Sequence, residues 1–421
     1  NIACWFYNFQ TTKNFGMIDY YETKSQPITR AMVWQAYGKV KSNKGSSGID
    51  AMNWEKLDSR LPKHLYRLWN RLSSGSYFPQ AVKEVAIKKK GGGVRKLGIP
   101  TILDRIAQEV VKVHLERIVE PQFHNSSFGY RPGRNCHQAV EQATVNIFTN
   151  NWAIDLDIKS FFDTIDHGLL MKAVRHYCKD RWVLLYVDRW LKAGIVQADG
   201  CYVDRLSGTP QGGVISPLLA NIFLHVSFDQ WMAIHYPSKR FERYADDIVI
   251  HCRTEWQAIY MLRKITQRLA ICKLSVNKEK TKIVNLRGSS EKRYSRSFDF
   301  LGFTIEPHWM RVKTGCRLMP RSVISKKSVS SVLEKFKGVH RIRKSIEELA
   351  RELNPIIRGV MNYYGKFWTY HTTDLWNQVN KRLLKWVKWE KGLYKLAAVR
   401  WLKMKCHEKP NLFAHWKLVY P

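Results

Sequence analysis

The sequence lacks the features that mark membrane, secreted and zinc-binding proteins. It has no run of about 18 or more apolar residues and no secretory leader pattern at its start, so we expect an intracellular protein with no membrane partner. Its eight cysteines include no CxxC pair, so their spacing predicts no structural zinc site. No internal repeat or low-complexity tract is evident. The cysteines are therefore expected to be reduced and mostly buried.

Acidic residues are scarce relative to basic ones. The chain carries 70 Lys and Arg against 35 Asp and Glu, a formal net charge of +35. Such an excess is strongly self-repelling unless a polyanion is the usual partner, which predicts nucleic acid as the ligand. Residues 311–421 alone carry 25 Lys and Arg against 7 Asp and Glu. Tryptophans lie among these charges, and we expect most of them to pack between helices and some to suit base stacking.

The spacing of apolar residues predicts an α+β chain, and its length predicts about two to four folded units. The predicted elements are a helix in Ile28–Val40, a hairpin in Val82–Ile99, a helix in Asp104–Val119, strands in Trp152–Ile158 and Ile248–Cys252, and helical stretches in His167–Lys192 and Ser216–His235. The polar stretch Gly288–Arg296 is the predicted boundary. After the strand-like Phe298–Phe303 we expect a mostly helical, basic region.

Two adjacent carboxylates, Asp246 and Asp247, follow Tyr244 and Ala245 among apolar residues. Burial of two like charges is costly unless a cation neutralises them, and hard divalent ions prefer carboxylate oxygens. The pattern predicts a strand–turn–strand that presents the pair to Mg²⁺ at its tip. From this motif alone, an ordinary surface turn with two aspartates is the alternative.

A second acidic site lies in the strand-like segment that contains Asp155 and Asp157. Strand alternation sends both side chains to one face, so one of them can complete a metal site with Asp246. Two-metal phosphoryl transfer uses carboxylates that bridge ions about 3.5–4 Å apart, one ion at the primer 3′-hydroxyl and one at the leaving pyrophosphate.

Between the two acidic sites, Gly208–Pro217 contains three glycines and two prolines and leads into a predicted helix. Such a loop allows the backbone to approach a ligand closely, with an ordinary helix entry as the alternative.

Several motifs occur in one order along nearly the whole chain. They are DxxxxF at Asp157–Phe162, TPQGGxxSPxLxN at Thr209–Asn221, YADD at Tyr244–Asp247, and the segments Asn43–Asp50, Arg95–Arg105, Ser127–Arg134, Leu274–Thr281 and Phe298–Phe303. Together they resemble the reverse transcriptases encoded by bacterial group II introns, and the set is far more specific than YADD alone.

The resemblance implies a role for each matching acidic position. Asp157 and Asp246 would be the main ligands of two Mg²⁺ ions, for which Mn²⁺ could substitute, and Asp247 would be adjacent and contribute to one ion. Asp155 would support the site rather than coordinate a metal.

The resemblance also implies a nucleotide pocket. Phe162 would be the aromatic gate that collides with a ribose 2′-hydroxyl, Gln211 would line the pocket near the templating base pair, and Ile158 would contact the dNTP. Lys89 and Arg95 would neutralise the triphosphate. Where the family commonly has Ile-Pro-Lys, this chain has Ile87-Lys88-Lys89-Lys90, so the neighbouring lysines remain alternatives to Lys89.

Contacts to the template and primer, and to RNA, follow from the same resemblance. The implied template and primer residues are Arg131, Gly212, Lys280, Phe300, Leu301 and Gly302, the last three in a primer-gripping turn. Leu353–Tyr364 resembles the maturase-specific segment, and its implied RNA-binding residues are Arg358, Asn362, Tyr363 and Lys366. A plain thumb helix without intron function is the alternative for this segment.

The implied fold is a right-hand polymerase with a helical thumb/maturase domain. Its expected parts are fingers in residues 1–148, a palm with finger elements in 149–305, a helical thumb/maturase domain in 306–385 and a basic C-terminal tail in 386–421. No HNH-type zinc-binding tail follows, so we expect no endonuclease activity in this chain.

The implied function is an RNA-directed DNA polymerase that also binds intron RNA and assists splicing and mobility. Its partners would be intron RNA, an RNA template, a DNA primer or target and dNTPs, and its location would be the bacterial cytoplasm, with the nucleoid or a ribonucleoprotein. Three alternatives stay open. One is a domesticated enzyme of DNA repair or phage defence, one is a splicing chaperone without polymerase activity, and one, disfavoured by Phe162, is a ribonucleotide polymerase.

Overall fold

The computed structural model describes residues 25–88, 93–287, 293–312, 315–339, 343–367 and 372–421. Within these ranges the buried apolar side chains form three clusters, one in the N-terminal and central parts, one under the central sheet and one in the C-terminal helices. Across the same residues, no helix has the length and apolar character needed to cross a bilayer.

The N-terminal part combines helices with a β-hairpin. Its helices are α1 (Arg30–Ser42), α2 (Trp54–Asp58), α3 (Leu61–Ser73) and α4 (Ile102–Val119), and its strands are β1 (Val82–Lys88) and β2 (Val94–Ile99). The helix, hairpin and second helix predicted from the sequence are confirmed. Both α1 and α4 begin at a threonine whose hydroxyl accepts a backbone N–H of the first turn, Thr29 and Thr101 respectively, which satisfies a donor that the helix itself leaves unpaired.

The middle of the chain alternates helices with short strands. The elements are α5 (Cys136–Thr149), β3 (Trp152–Asp157), α6 (Phe161–Thr164), α7 (His167–Tyr177), α8 (Arg181–Lys192), β4 (Ile195–Val196), β5 (Tyr202–Val203), α9 (Ser216–Leu224), α10 (Gln230–His235), β6 (Phe241–Tyr244), β7 (Asp247–Cys252), α11 (Glu255–Ile271) and β8 (Lys282–Asn285). The stretch predicted as helical from His167 to Lys192 is two helices, whereas α9 and α10 are joined by the π-helical segment His225–Asp229.

The central sheet has the strand order β6-β7-β3-β8 and is antiparallel throughout. Because strand side chains alternate, β3 serves two cores. Ile154 and Leu156 pack in the cluster that includes α11, and Ala153 packs in the cluster that includes α5. Asp155 and Asp157 are two and four residues after Ala153, so their side chains point to the same face of the sheet as Ala153. The sheet therefore has one face that carries carboxylates and one that is covered by α11.

The region after the central sheet confirms the predicted strand character of Phe298–Phe303 but differs from the mostly helical structure expected after it. It opens with β9 (Phe298–Phe300), β10 (Phe303–Val312) and β11 (Gly315–Ile324), which form a second antiparallel sheet. The helical prediction was wrong for β10 and β11 because apolar and polar residues do not alternate along β11, and its pairing with β10 cannot be read from a local pattern. The hairpin is held by pairing with β9 and by docking on α5, where the Thr144 and Ser322 hydroxyls lie 2.6 Å apart.

The C-terminal helices α12 (Lys326–Glu334), α13 (Ile346–Tyr364), α14 (Thr373–Lys391) and α15 (Lys395–Glu408) form one helical unit. Trp376 and Trp386 are fully buried in its core, as expected for most tryptophans of this region. The segment predicted as a basic tail, residues 386–421, packs into the same core through Trp386, Leu402 and Phe413. In the structure this segment is therefore part of the helical unit.

Candidate active site

Two strand ends bring the predicted acidic residues together. Asp157 at the end of β3 lies opposite Asp247 at the start of β7. The β6–β7 hairpin closes with Tyr244 opposite Asp247, so Ala245 and Asp246 form a two-residue turn. Ala245 has a φ of 57°, in the left-handed region that such tight hairpin turns require. The predicted strand–turn–strand is confirmed, and it places Asp157, Asp246 and Asp247 at one edge of the sheet.

The segment after α11 holds the acidic end of β3. The backbone N–H of Asn277 donates to the Asp157 carbonyl at 2.8 Å, and the Asp157 N–H donates to Thr281 Oγ1 at 3.2 Å. Between them, Lys280 Nζ lies 3.1 Å from Asp157 Oδ2. Lys280, predicted as a template or primer contact, thus supplies positive charge directly at a predicted metal ligand.

The crowding of carboxylates changes their acidity. Desolvation and then repulsion from Asp247 raise the pKa of Asp155 to about 7. Desolvation by nearby protein atoms, followed by repulsion from Asp246 and Asp157, raises the pKa of Asp247 to about 6, although the residue as a whole is exposed. The edge of the sheet therefore carries more negative charge than Lys280 and Lys282 offset, which favours a bound cation.

The donor set fits divalent metal ions of the magnesium type. Among the described residues, no group of three or more His, Cys, Asp or Glu side chains lies close enough together to hold a metal ion by itself. Mg²⁺ in phosphoryl-transfer sites uses one or two carboxylates together with substrate phosphates and water. Asp157, Asp246 and Asp247 stay the predicted donors of those oxygens, and Asp155 lies on the same face of β3 as Asp157.

A buried arginine holds the acidic turn from behind, although no role for it was predicted from the sequence. Arg243, two residues before the turn residue Ala245, is fully buried and uses all five guanidinium N–H groups. It donates to both carboxylate oxygens of Asp229 at 2.7 and 2.6 Å, and to Asn221 Oδ1 at 2.9 Å. The remaining two bonds reach the Ala245 carbonyl at 3.2 Å and Ser127 Oγ at 2.8 Å. The network ties the turn to three separate segments.

Burial alone would raise the pKa of Asp229, but the ion pair and hydrogen bonds with Arg243 outweigh it and hold the pKa below its usual range. The pair is therefore ionised at neutral pH. The only signal in the sequence was an arginine directly before YADD. Its side-chain partners lie 14 to 116 positions away in the chain, so the sequence could not identify them.

The loop of residues 126–130 packs directly beneath the turn. Asn221 Nδ2 donates to the Gly129 carbonyl at 2.7 Å, so the same asparagine binds both this loop and Arg243. A Cβ at Gly129 would lie 2.5 Å from the backbone N of Ala245. Only glycine permits this approach of the two backbones, which gives a physical reason for the glycine in the Ser127–Arg134 motif.

The glycine-rich loop packs against the helix that carries the predicted gate. Phe162, in α6, is almost fully buried, and its carbonyl accepts the backbone N–H of Thr209 at 2.8 Å. Gly208 has a φ of 78°, and a Cβ there would lie 2.7 Å from the carbonyl oxygens of Phe162 and Asp163. The structure brings the loop and the predicted gate into contact, and the role of Phe162 stays a prediction.

The other end of the loop contacts the β1–β2 hairpin. The Gln211 carbonyl accepts the Gly98 N–H at 3.1 Å, and its Nε2 donates to Asp163 Oδ1 at 3.4 Å. A Cβ at Gly212 would lie 2.5 Å from the Gly98 carbonyl oxygen. Gln108, a buried residue that sequence reasoning missed, fixes the loop because its Oε1 accepts the Val214 N–H at 2.8 Å.

Two predicted phosphate contacts cannot be located at the level of side chains. Lys89 lies outside the described residues, as does Lys90. Arg95 is in β2, where its backbone pairs with Ile87, and its side chain is not described. Ile158 is buried directly after β3 and bridges to Val276.

The predicted primer-gripping turn is a tight turn between β9 and β10. Leu301 and Gly302 have φ values of 51° and 82°, and Phe300 pairs with Phe303 across the turn. Helices of the C-terminal unit hold it: Tyr363 donates its hydroxyl to the Leu301 carbonyl at 2.9 Å, and Ser328 donates to the Gly302 carbonyl at 2.9 Å. Tyr363, predicted to bind RNA, is thus engaged in positioning this turn.

The remaining predicted contacts divide into exposed and internal residues. Arg358, Asn362 and Lys366 are exposed and follow at intervals of four residues along and just beyond α13, so they share one face. Arg131 is internal: it pairs with Glu120 at 2.8 Å and donates to the Ser127 carbonyl at 2.7 Å. Its observed contacts support the loop beneath the acidic turn, and a contact with template or primer stays a prediction.

Comparison with known families identifies the family to which the chain belongs. Residues 87–305 match the family described as reverse transcriptase (RNA-dependent DNA polymerase). Residues 329–416 match the group II intron maturase-specific domain. The chain belongs to the group II intron reverse transcriptases. The first match contains all the acidic residues above, and the second contains most of the C-terminal helical unit.

Curated relatives support the same assignment. The chain is 33% identical over 282 residues to protein YkfC of Escherichia coli, an alignment that covers 58% of this chain and 74% of YkfC. It is 39% identical over 191 residues to the group II intron-encoded protein LtrA of Lactococcus lactis, which covers 45% of this chain and 32% of LtrA. The chain therefore spans about a third of LtrA, and whatever LtrA does as a whole protein is not transferred by the match itself.

The secondary structure and the two family matches together describe a mixed α/β reverse transcriptase domain followed by a helical maturase domain. The predicted resemblance to this family is confirmed. The boundary expected near residues 288–296 falls before the end of the first match, because β9 and the start of β10 still belong to the reverse transcriptase domain.

Proposed function

We propose that this chain is a right-hand polymerase that copies RNA into DNA with two Mg²⁺ ions, for which Mn²⁺ can substitute, and that it binds intron RNA to assist splicing and mobility. The observation that carries the proposal is the meeting of Asp157, Asp246 and Asp247 at one sheet edge, in the cross-strand register of β3 and β7. In this hand the N-terminal helices and hairpin form fingers, the central sheet forms the palm and the C-terminal helices form the thumb. In the cell, we expect the chain with a ribonucleoprotein in the bacterial cytoplasm.

The chain contributes position and charge rather than covalent chemistry. When bound, the two ions would activate the primer 3′-hydroxyl and stabilise the leaving pyrophosphate. Asp157 and Asp246 would hold them, with Asp247 contributing to one ion. Lys280 limits repulsion at Asp157, and the Arg243 network keeps the turn that carries Asp246 in one geometry.

The glycine-rich loop Gly208–Pro217 and the helix α6, which contact each other, would select the substrate. Phe162 would exclude the ribose 2′-hydroxyl, and Gln211 would line the nucleotide pocket beside it. The glycine contacts between the loop, α6 and β2 fix the spacing of these two residues. Arg95, in β2, and Lys89, which lies outside the described residues, would neutralise the triphosphate.

The maturase function is proposed on the charged face of the helical domain. Arg358, Asn362 and Lys366 are exposed on one side of α13, and the groove between α12 and α13 adds Lys327 and Lys335. Distributed cations of this kind suit contact with RNA phosphates rather than reading of base sequence.

The proposal is tested by primer extension on an RNA template with Mg²⁺ and dNTPs. Asp246→Ala should abolish extension while leaving RNA binding unchanged, because the aspartate acts only at the site. Asp188→Ala is the matched control, since Asp188 is a partly exposed carboxylate on α8 that pairs with Lys192 one turn further along the helix. Failure of the wild-type protein to extend any template would overturn the enzymatic proposal and favour a splicing chaperone. Splicing of the flanking intron RNA, with and without the protein, tests the maturase part.

A further inference from the structure

Helix α11 carries an exposed stripe of two aromatic rings and a cation. Trp256, Tyr260 and Lys264 follow at intervals of four residues and therefore lie on one side of the helix. The Trp256 and Tyr260 rings are stacked, with centroids 5.3 Å apart and planes inclined by 14°. Lys264 Nζ lies 5.6 Å from the Tyr260 ring centroid. Trp256 is 70% exposed, so most of its ring is open to solvent.

This stripe lies behind the central sheet, away from the acidic residues. The opposite side of α11 buries Ala258, Met261, Ile265 and Leu269 in the core that contains Ile154 and Leu156 of β3. Asp155 and Asp157 alternate with those two residues and point to the other face of the sheet. A ligand on the stripe would therefore be separate from a primer and template at the acidic turn.

The surface beside the stripe is aromatic and basic. Tyr236 lies 6.5 Å from Tyr260 between ring centroids and lines a cleft of about 780 Å³. Lys239, Arg240 and Arg253 also line that cleft, and Lys239 Nζ donates to Gln257 Oε1 at 2.8 Å.

The acidic residue next to the stripe is already engaged. Glu255 accepts the Tyr294 hydroxyl at 2.6 Å and lies 3.7 Å from Arg293. Within the described ranges, Lys264, Arg240 and Arg253 make no ion pair, so the surface presents positive charge next to open rings.

We propose that the stripe and cleft bind a single-stranded segment of nucleic acid, with unpaired bases stacked on Trp256 and phosphates paired with Lys264 and the cleft cations. Stacking on an exposed ring beside a positive groove is how proteins bind single strands without reading their sequence. A protein partner would be expected to need an apolar surface with few cations at its centre, whereas this patch is rich in them. The inference goes beyond the polymerase and maturase functions, because it adds a second nucleic-acid site.

The site is tested in protein whose main cleft is filled with a template–primer hybrid ending in a dideoxynucleotide. A labelled single-stranded RNA of ten nucleotides that contains 4-thiouridine is then bound and photo-crosslinked, and the crosslinked peptide is mapped by mass spectrometry. We expect crosslinks within Glu255–Ile271. Trp256→Leu should weaken binding by about tenfold, and Trp256→Phe should largely retain it, because phenylalanine keeps a ring for stacking. Ile259→Ala, on the same helix, should change nothing.

Charge is tested separately. Lys264→Gln should weaken binding to all sequences alike. It should also reduce the slope of log affinity against log salt concentration by the amount expected for about one phosphate contact. A DNA strand of the same sequence shows which single strand is preferred. Equal affinity of Trp256→Leu and wild type, or an equal loss in Ile259→Ala, overturns the proposal. So does a Trp256→Leu variant that alters only self-association in sedimentation. The same crosslink in Asp246→Ala separates this site from polymerase activity.

Discussion

Replacement of Arg243 by lysine tests the network behind the acidic turn. The change preserves the charge, so overall attraction to nucleic acid is unaffected, but lysine has at most three donors for the five bonds that Arg243 makes. At least two hydrogen bonds of a buried charged group are lost, each worth about 1.5–3 kcal/mol. The free energy of unfolding should therefore fall by about 3 kcal/mol or more.

Two measurements follow from this loss. At about 2–4 °C per kcal/mol for a domain of this size, the unfolding midpoint of Arg243→Lys should drop by about 6–12 °C in a thermal melt. The bond to the Ala245 carbonyl positions the turn that carries Asp246, and misplacement of a reacting group by about 1 Å can cost about 100-fold in rate. Single-turnover primer extension should slow by about 10- to 100-fold, and the affinity for the template–primer hybrid should be unchanged.

The matched control is Arg240→Lys, because Arg240 is exposed and lies only three residues earlier. It should leave both the melting temperature and the extension rate unchanged. If Arg243→Lys behaves like this control, the network does not position the turn and the reasoning is wrong. If it lowers stability but not the rate at a temperature where it is folded, the arginine is structural only.

Three further predictions concern other residues. Phe162→Ala should increase incorporation of ribonucleotides relative to deoxynucleotides by about 10- to 200-fold, as measured by primer extension with each set of nucleotides. An unchanged ratio would contradict the assignment of Phe162 as the gate. Gly208→Ala should lower the free energy of unfolding by about 1–3 kcal/mol and slow primer extension, because the added Cβ would lie 2.7 Å from the Asp163 carbonyl oxygen. Chemical denaturation and extension rates test this. Unchanged stability and rate would contradict the close packing of Gly208. Asp104 has a pKa raised to about 6, first by burial. The folded protein therefore binds this proton more readily than the unfolded chain does, so acidification from pH 7 to pH 5 should stabilise wild type relative to Asp104→Asn by about 1 kcal/mol. Thermal melts of both proteins at both pH values test this. An unchanged difference between them would show that the pKa of Asp104 is not raised.

The sequence by itself determined the chemistry of the site. Adjacent carboxylates between apolar segments indicated a strand–turn–strand, and strand alternation placed Asp155 and Asp157 on one face, because both inferences need only local periodicity. The motif order identified the reverse transcriptase and maturase segments. Secondary structure was accurate where the apolar period was strong, as in the β1–β2 hairpin and α4. It failed for the β10–β11 hairpin, because β11 lacks an alternation of apolar and polar residues and the hairpin is held by pairing between strands, including pairing with β9.

Only the tertiary structure decided how the turn is held and which residues have partners. Four of the five bonds of Arg243 join segments that are 14 to 116 positions apart in the chain, and no local pattern encodes such distances. Tyr363 and Arg131 stay predicted nucleic-acid contacts, and only the fold reveals that both side chains donate to backbone carbonyls of the protein. Trp256 shows the converse, because helical spacing locates its face but only the packing of α11 leaves that face open. The types of side chain set the chemistry, and the long-range contacts determine which of them face a ligand.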